Sequence, residues 1–330
     1  MSTPTLRVVP LRVRRIPGKP ARISLLVLAG LAWRRHRRTF GAIALALLAL
    51  TVWALRTAQS VAAAHDAWYA ADCRNARLTD TCQALGHDLT RTVQSAQSLQ
   101  FALLAVPALV AALLGAPLLA REYEQGTHRL AWTQSVPRSR WLTAQLLVFG
   151  SASSLVGVTA ALLGTRLQQA ADPAVLADPS GFSPLPFNSF GPVLAAATVL
   201  AFAIGVLCGA LWRRTLPAIA ATVVGYGGIA LLLTVLRGRL QPSRTIFPPH
   251  GYDLRPDDWL MADGVVTTDG HRLSYAQCPQ SGCPAGSRTF EIYHDASQLW
   301  PMQWTAAGIM LALAALALLL GYRAVGRRTL

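Results

Sequence analysis

Long apolar runs alternate with short basic segments and longer polar ones. Six runs reach the roughly 20 residues that a helix needs to cross a hydrocarbon core: 41–61, 99–120, 141–164, 191–212, 216–236 and 304–322. A seventh, from Ile23 to Trp33, is too short to span and runs straight into Arg34, Arg35, His36, Arg37 and Arg38. That pattern predicts an amphipathic helix over 23–38, lying flat in the headgroup region with Trp33, Arg34, Arg35, Arg37 and Arg38 on anionic lipid. The alternative is that it starts the first span, which would bury four arginines. Pro107 and Pro117 fall inside the second run, where membrane helices tolerate them if neighbours satisfy the freed carbonyls.

Charge orients the spans. Six crossings put both ends of the chain on one side, and that side collects 19 of the 30 lysines and arginines. It holds only Glu122 and Glu124 of the 15 carboxylates. By the excess of cations the side is cytoplasmic. Residues 1–22 then read as a basic cytoplasmic tail and 323–330 as a second one. No cleavable signal peptide is expected, because the first apolar run follows a basic, proline-containing stretch and is flanked by arginines on both sides. The net charge of +15 does not point to nucleic acid, since basic residues interrupted by apolar spans report membrane orientation.

The outer segments are 62–98, 165–190 and 237–303. Cys73 and Cys82 lie in the first and Cys278 and Cys283 in the last, so two local disulfides are expected in an oxidising compartment. Free thiols or a metal site are the alternative, but zinc needs further ligands at a spacing that no His or Cys pattern supplies. Cys208, inside span four, reads as a small core residue. The first outer segment looks helical, extending the spans beside it. In the last, Asp269-Gly270 between β-forming stretches 259–266 and 271–275 predicts a hairpin. The fold class is thus an all-α polytopic membrane protein: six transmembrane helices, an N-terminal interfacial helix and a small disulfide-tied, partly β extracytoplasmic cap.

None of the six spans contains Asp, Glu, Lys or His, which disfavours ion-coupled transport. Hydroxyls and Gln145 give span three a polar character that reads either as a path lining or as close helix packing. Hydrolase motifs are missing, and Lys19, the sole lysine, has no Walker A context. Lone histidines such as His65, His87 and His294 have no positioned partner group and read as bystanders. The chain is therefore expected not to be an enzyme and to hold no cofactor or metal. Energy for transport has to come from another polypeptide.

The best surface for such a partner is cytoplasmic segment 121–140, with Glu122, Glu124, Gly126, Thr127, His128 and Arg129. A helix continuing past Ala120 to Gln125 is ended by Gly126, and 127–136 forms a short helix across the inner face before Pro137. Carboxylates this close to anionic lipid need a cationic partner: a docked protein, or segment 34–38.

The run Arg121-Glu122-Tyr123-Glu124-Gln125-Gly126-Thr127, followed by Trp132-Thr133-Gln134-Ser135-Val136-Pro137-Arg138-Ser139-Arg140-Trp141, resembles the permease subunit of type 2 ATP-binding-cassette (ABC) exporters, particularly those of actinobacteria. Leu31 to Arg37 and Trp300 to Trp304 support it. Family members commonly carry a lysine a few residues after the arginine pair, where this chain has Gln145. The outer segment before span six also looks longer than in the minimal member. The resemblance implies that 121–140 couples to a separate ABC ATPase subunit, which binds the ATP, and that 23–38 is the interfacial connecting helix. It also implies a second permease copy, as homodimer or heterodimer, in a bacterial plasma membrane. The expected activity is export of an amphipathic or apolar substrate: an antibiotic, a peptide or a lipid-like molecule. The alternative is a non-transporting sensor or assembly scaffold whose outer cap binds a ligand.

Overall fold

A computed structural model describes residues 24–73, 79–126, 138–170, 181–248, 255, 257–279 and 282–327. The basic tail 1–22, the short helix expected over 127–136 and part of outer segment 165–190 lie outside them. Among the described residues, six helical stretches are long and apolar enough to cross a membrane.

The first stretch, α1, runs without a break from Leu25 to Ala70, about 69 Å at 1.5 Å per residue. The expected interfacial helix over 23–38 is therefore not a separate element: from Leu25 onward it is the opening of α1. The arginines that mark the segment are themselves strong helix formers, and no proline interrupts them. Ser24 caps the start, its hydroxyl accepting from the Val27 amide at 3.3 Å.

The second stretch is built in pieces: α2 (Asp80–Leu104), α3 (Val106–Val110), a π-helical turn (Ala111–Gly115) and α4 (Ala116–Glu124). The two prolines explain the joints. Pro107 sits in the first turn of α3 and Pro117 in that of α4, where a missing amide is tolerated. Just before Pro117 the Ala116 amide reaches back five residues to the Ala111 carbonyl, which widens the turn.

Helices α5 (Arg138–Gln169), α6 (Pro184–Ser189), α7 (Gly191–Trp212) and α8 (Thr215–Leu236) follow, and α9 (Leu299–Arg327) closes the chain. Helix α7 is the axis of the fold. It is apolar all round and buried over most of its length, as a helix enclosed by its neighbours must be. One apolar core joins α1, α2–α4, α5 and a side of α7. A second joins α7, α8, α9 and the opposite side of the π turn and α4. Outward-facing residues are apolar too, among them Leu45 and Leu48 of α1 and Val224 and Val235 of α8. A protein in water would not keep so much apolar surface bare. This surface suits a multi-pass membrane protein.

Glycine lets α7 approach the π turn. A Cβ on Gly205 of α7 would lie 2.7 Å from the Ala116 amide nitrogen, and one on Gly115 would lie 2.8 Å from the Phe202 carbonyl oxygen. The two backbones thus meet where no side chain fits.

At the far end from the arginines, β1 (Arg244–Ile246), β2 (Trp259–Val266), β3 (Arg272–Leu273) and β4 (Arg288–His294) form an antiparallel sheet in the order β1-β4-β2-β3. The β2–β3 hairpin turns through Asp269-Gly270, with Gly270 at φ 83° and the Thr267 amide donating to the His271 carbonyl at 2.9 Å. The cap is seated on the spans by His294. That ring is fully buried, 3.1 Å from both the Gly238 carbonyl and Gln298 Oε1, and it stacks with Trp259. Arg237, at the end of α8, covers the Trp259 ring and donates to the Phe182 carbonyl at 2.8 Å. The Ser297 hydroxyl and amide hold the Asp295 carboxyl below its usual pKa, and Arg244 lies 3.5 Å away.

Both disulfides are present: Cys73–Cys82 joins α1's end to α2's first turn, and Cys278–Cys283 closes a small loop in the cap. Cys208 is buried and free. The first bridge spans nine residues, so replacing both its cysteines with serine should lower stability by about 2–3 kcal/mol. Thermal unfolding in detergent checks this, and an unchanged midpoint would count against a structural role.

Candidate functional site at the end of α4

Past the apolar run ending at Ala120, α4 projects its last turn between two parts of the bundle. On one side Glu122, whose side chain is 14% exposed, meets Arg35 of α1 at 3.1 Å. On the other, Tyr123 lies under the guanidinium of Arg213, 5.5 Å from ring centroid to Cζ. Glu124 accepts a hydrogen bond from the Thr215 hydroxyl at 2.6 Å. Three consecutive residues therefore hold α1 and the α7–α8 turn to the same helix end.

Local sequence explains each contact. Arg213 ends α7 in the left-handed conformation at φ 55°, which lets the chain reverse into α8 within two residues. Thr215 opens α8, so Glu124 sits at a helix N-terminus, where amides and dipole favour a carboxylate. The Thr215 hydroxyl, and then its amide, hold the Glu124 carboxyl below its usual pKa, with Arg214 and Arg121 adding to the effect. Glu124 is thus a full anion at neutral pH. Gly126 follows the helix end at φ 67°, its amide donating to the Tyr123 carbonyl at 3.3 Å.

Of the residues singled out from sequence, the structure brings Arg35 and Glu122 together and sends Glu124 to a different helix. The cationic partner required by Glu122 comes from within the chain. Arg34, Arg37 and Arg38 are exposed. Trp33 stacks on Phe40 at 4.8 Å, and Phe40 leans on Phe149 of α5. Thr127, His128 and Arg129 lie outside the described residues. Tyr123 lies inside the motif run without having been given a role, Arg213 and Thr215 lie outside it, and only the meeting of Arg213-Arg214 with a nearby carboxylate could have flagged the latter two.

Among the described residues no group of three His, Cys, Asp or Glu is placed to hold a metal. The contacts seen at this site fasten helices to one another.

Comparison with known families decides what kind of protein carries this bundle. The profile described as ABC-2 membrane transporter related matches residues 44–237, more than half of the chain. The chain belongs to that family. No curated protein and no solved structure gives a match. The match takes in the stretch from α1's apolar part through α8, including the whole α4 end. An ABC-2 permease is the membrane component of a transporter, and in general such permeases work with an ATPase partner. The cap that follows α8 and the α9 span lie beyond the matched residues.

Proposed function

We propose that this permease is the membrane subunit of an ABC exporter in a bacterial plasma membrane, energised by a separate ATPase that docks on the face where α4 ends. What carries the reading is the position of Glu122 and Glu124. A push on this one helix end reaches α1 through Arg35 and α8 through Thr215, and so reaches both apolar cores at once. A docking partner that changes shape with nucleotide needs such a point of leverage.

The excess of arginine on this end supports a cytoplasmic side that also holds both termini, by the positive-inside rule. The arginine-rich composition and the motif resemblance fit an actinobacterial exporter. ATP is bound by the partner, and a second permease, identical or related, completes the pathway. Spans free of charged groups other than Arg56 suit an amphipathic or apolar cargo such as an antibiotic, a peptide or a lipid-like molecule.

The test is purification of the tagged chain from its host in mild detergent, scoring co-purified ATPase for wild type and for Glu122→Arg/Glu124→Arg. An ATPase recovered with wild type and lost with the folded double variant is the expected result. If none is recovered even after crosslinking in intact membranes, the exporter reading fails, and a sensor or scaffold acting through the outer cap takes its place.

A further inference from the structure

Two cavities near the α4 fastening lie next to one another along α1. The first, about 270 Å³, lies among Arg35, His36 and Thr39 of α1, Arg121 and Glu122 of α4, and Gln145 of α5. The second, about 170 Å³, is an apolar trough between Ile43, Leu47 and Leu50 of α1 and Leu109 and Val110 on the facing helix, floored by Val156 of α5. Leu113 and Leu114 of the π turn line both, so head cleft and trough share a wall. From Thr39 to Leu50 that groove follows α1 for about 17 Å, close to half of a hydrocarbon core about 30 Å thick. It is as long as one leaflet is deep.

The chemistry changes along the groove as an amphiphile's does. In the head cleft two guanidinium groups face one carboxylate, and that carboxylate is already engaged by Arg35. Gln145 is 7% exposed, and among the described residues its Oε1 has no hydrogen-bond partner. Leaving such a group unmet is costly, so a partner in the cleft would be favoured. A half-turn of the amide exchanges its oxygen and nitrogen, so Gln145 can offer a donor to a phosphate oxygen or an acceptor to a headgroup hydroxyl. The trough is lined by aliphatic side chains, and Leu109 and Leu113 stand more than half exposed beside it.

We propose that the two adjacent cavities together bind one anionic phospholipid from the leaflet at the arginine-rich end, with its phosphate between Arg35, Arg121 and Gln145 and one acyl chain passing Leu113 into the trough. A free phosphate would satisfy the head cleft and leave the trough unfilled. The inference concerns the chain by itself and holds whether or not an ATPase docks nearby.

The test uses the full-length chain, delipidated in detergent and examined by native mass spectrometry with dioleoyl phosphatidylglycerol or dioleoyl phosphatidylcholine. Phosphatidylglycerol should be retained at one per chain and bind about tenfold more tightly than phosphatidylcholine, whose phosphate is the same but whose choline cation would be brought against Arg35 and Arg121. Gln145→Leu and Arg121→Gln should each weaken it by about tenfold. Leu113→Trp fills the throat from the exposed side, and it should block binding without disturbing a buried core. Equal retention of the two lipids, or phosphatidylglycerol binding unchanged in all three variants, would overturn the proposal. So would displacement of the lipid by an equal concentration of glycerol 3-phosphate, which would assign the cleft to a free phosphate.

Discussion

Gly205→Ala should lower the apparent melting temperature of the detergent-solubilised protein by several degrees, while the same substitution at Gly228 should leave it unchanged or raise it. Both glycines sit inside helices, α7 and α8, where alanine is intrinsically better by about 1 kcal/mol. What separates them is space. At Gly205 the new methyl would lie 2.7 Å from the Ala116 nitrogen and 2.9 Å from the Gly115 carbonyl carbon, both backbone atoms that cannot rotate away. At Gly228 nothing lies within 4 Å. Accommodating a methyl group at the first position means moving α7 off the π turn, an overpacking cost of about 2 kcal/mol or more that outweighs the gain in helix propensity. Because α7, the π turn and α4 each contribute to both cores, the shift spreads to each of them. A Gly205→Ala protein that melts with the wild type would show that the helices are not this close.

The second large effect concerns transport. In the assembled transporter, Glu122→Arg should reduce substrate-stimulated ATP hydrolysis about tenfold, a coupling of ordinary size between distant sites. The new cation would face Arg35 and Arg121 in place of an ion pair. Exchanging the charges, Arg35→Glu with Glu122→Arg, should restore most of the activity, since the fastening between α1 and α4 is remade with reversed polarity. The effect on stability alone is smaller. Arg35 is 55% exposed, so water screens the pair, and it contributes no more than about 1 kcal/mol. If the exchanged protein is as inactive as the single variant, Glu122 acts through a contact with the ATPase instead of through Arg35.

The parts of the molecule that sequence made legible are those set by local pattern. The six long apolar helices follow from the apolar runs, the Asp269-Gly270 hairpin from turn chemistry, and the two disulfides from close cysteine pairs. Local pattern also misled. The four arginines after Trp33 look like the end of an interfacial helix, yet arginine favours helix, and α1 runs through them. Of the cap's sheet, only the hairpin was visible beforehand. Strand β1 ends at Ile246 and β4 begins at Arg288, with β2 and β3 between them in the chain, so no turn joins the pair. Their pairing is fixed by distant contacts such as Thr245 with Ile292.

The site was legible as a stretch and illegible as a set of contacts. Two isolated carboxylates beside lipid demanded partners, but nothing local chooses Arg35 over its arginine neighbours, or sends Glu124 to Thr215, 91 residues away. Those choices are made by helix packing. Close helix packing was a reading of span three, whereas the approach of α7 to the π turn and α4 rests on Gly205 and Gly209 of span four. That four-residue glycine spacing on an apolar helix was the available signal.

Beyond the apolar core they share, helix α1 and the α2–α4 stretch are tied at each end, and the two ties differ in kind. The Cys73–Cys82 bond is covalent, while the Arg35–Glu122 contact at the opposite end is ionic and open to water. Such a pair behaves as tongs with a riveted pivot and a releasable catch. Any spreading of the two arms has to begin at the catch and be greatest there, the apolar trough between them widening from its headgroup end while the riveted end stays shut.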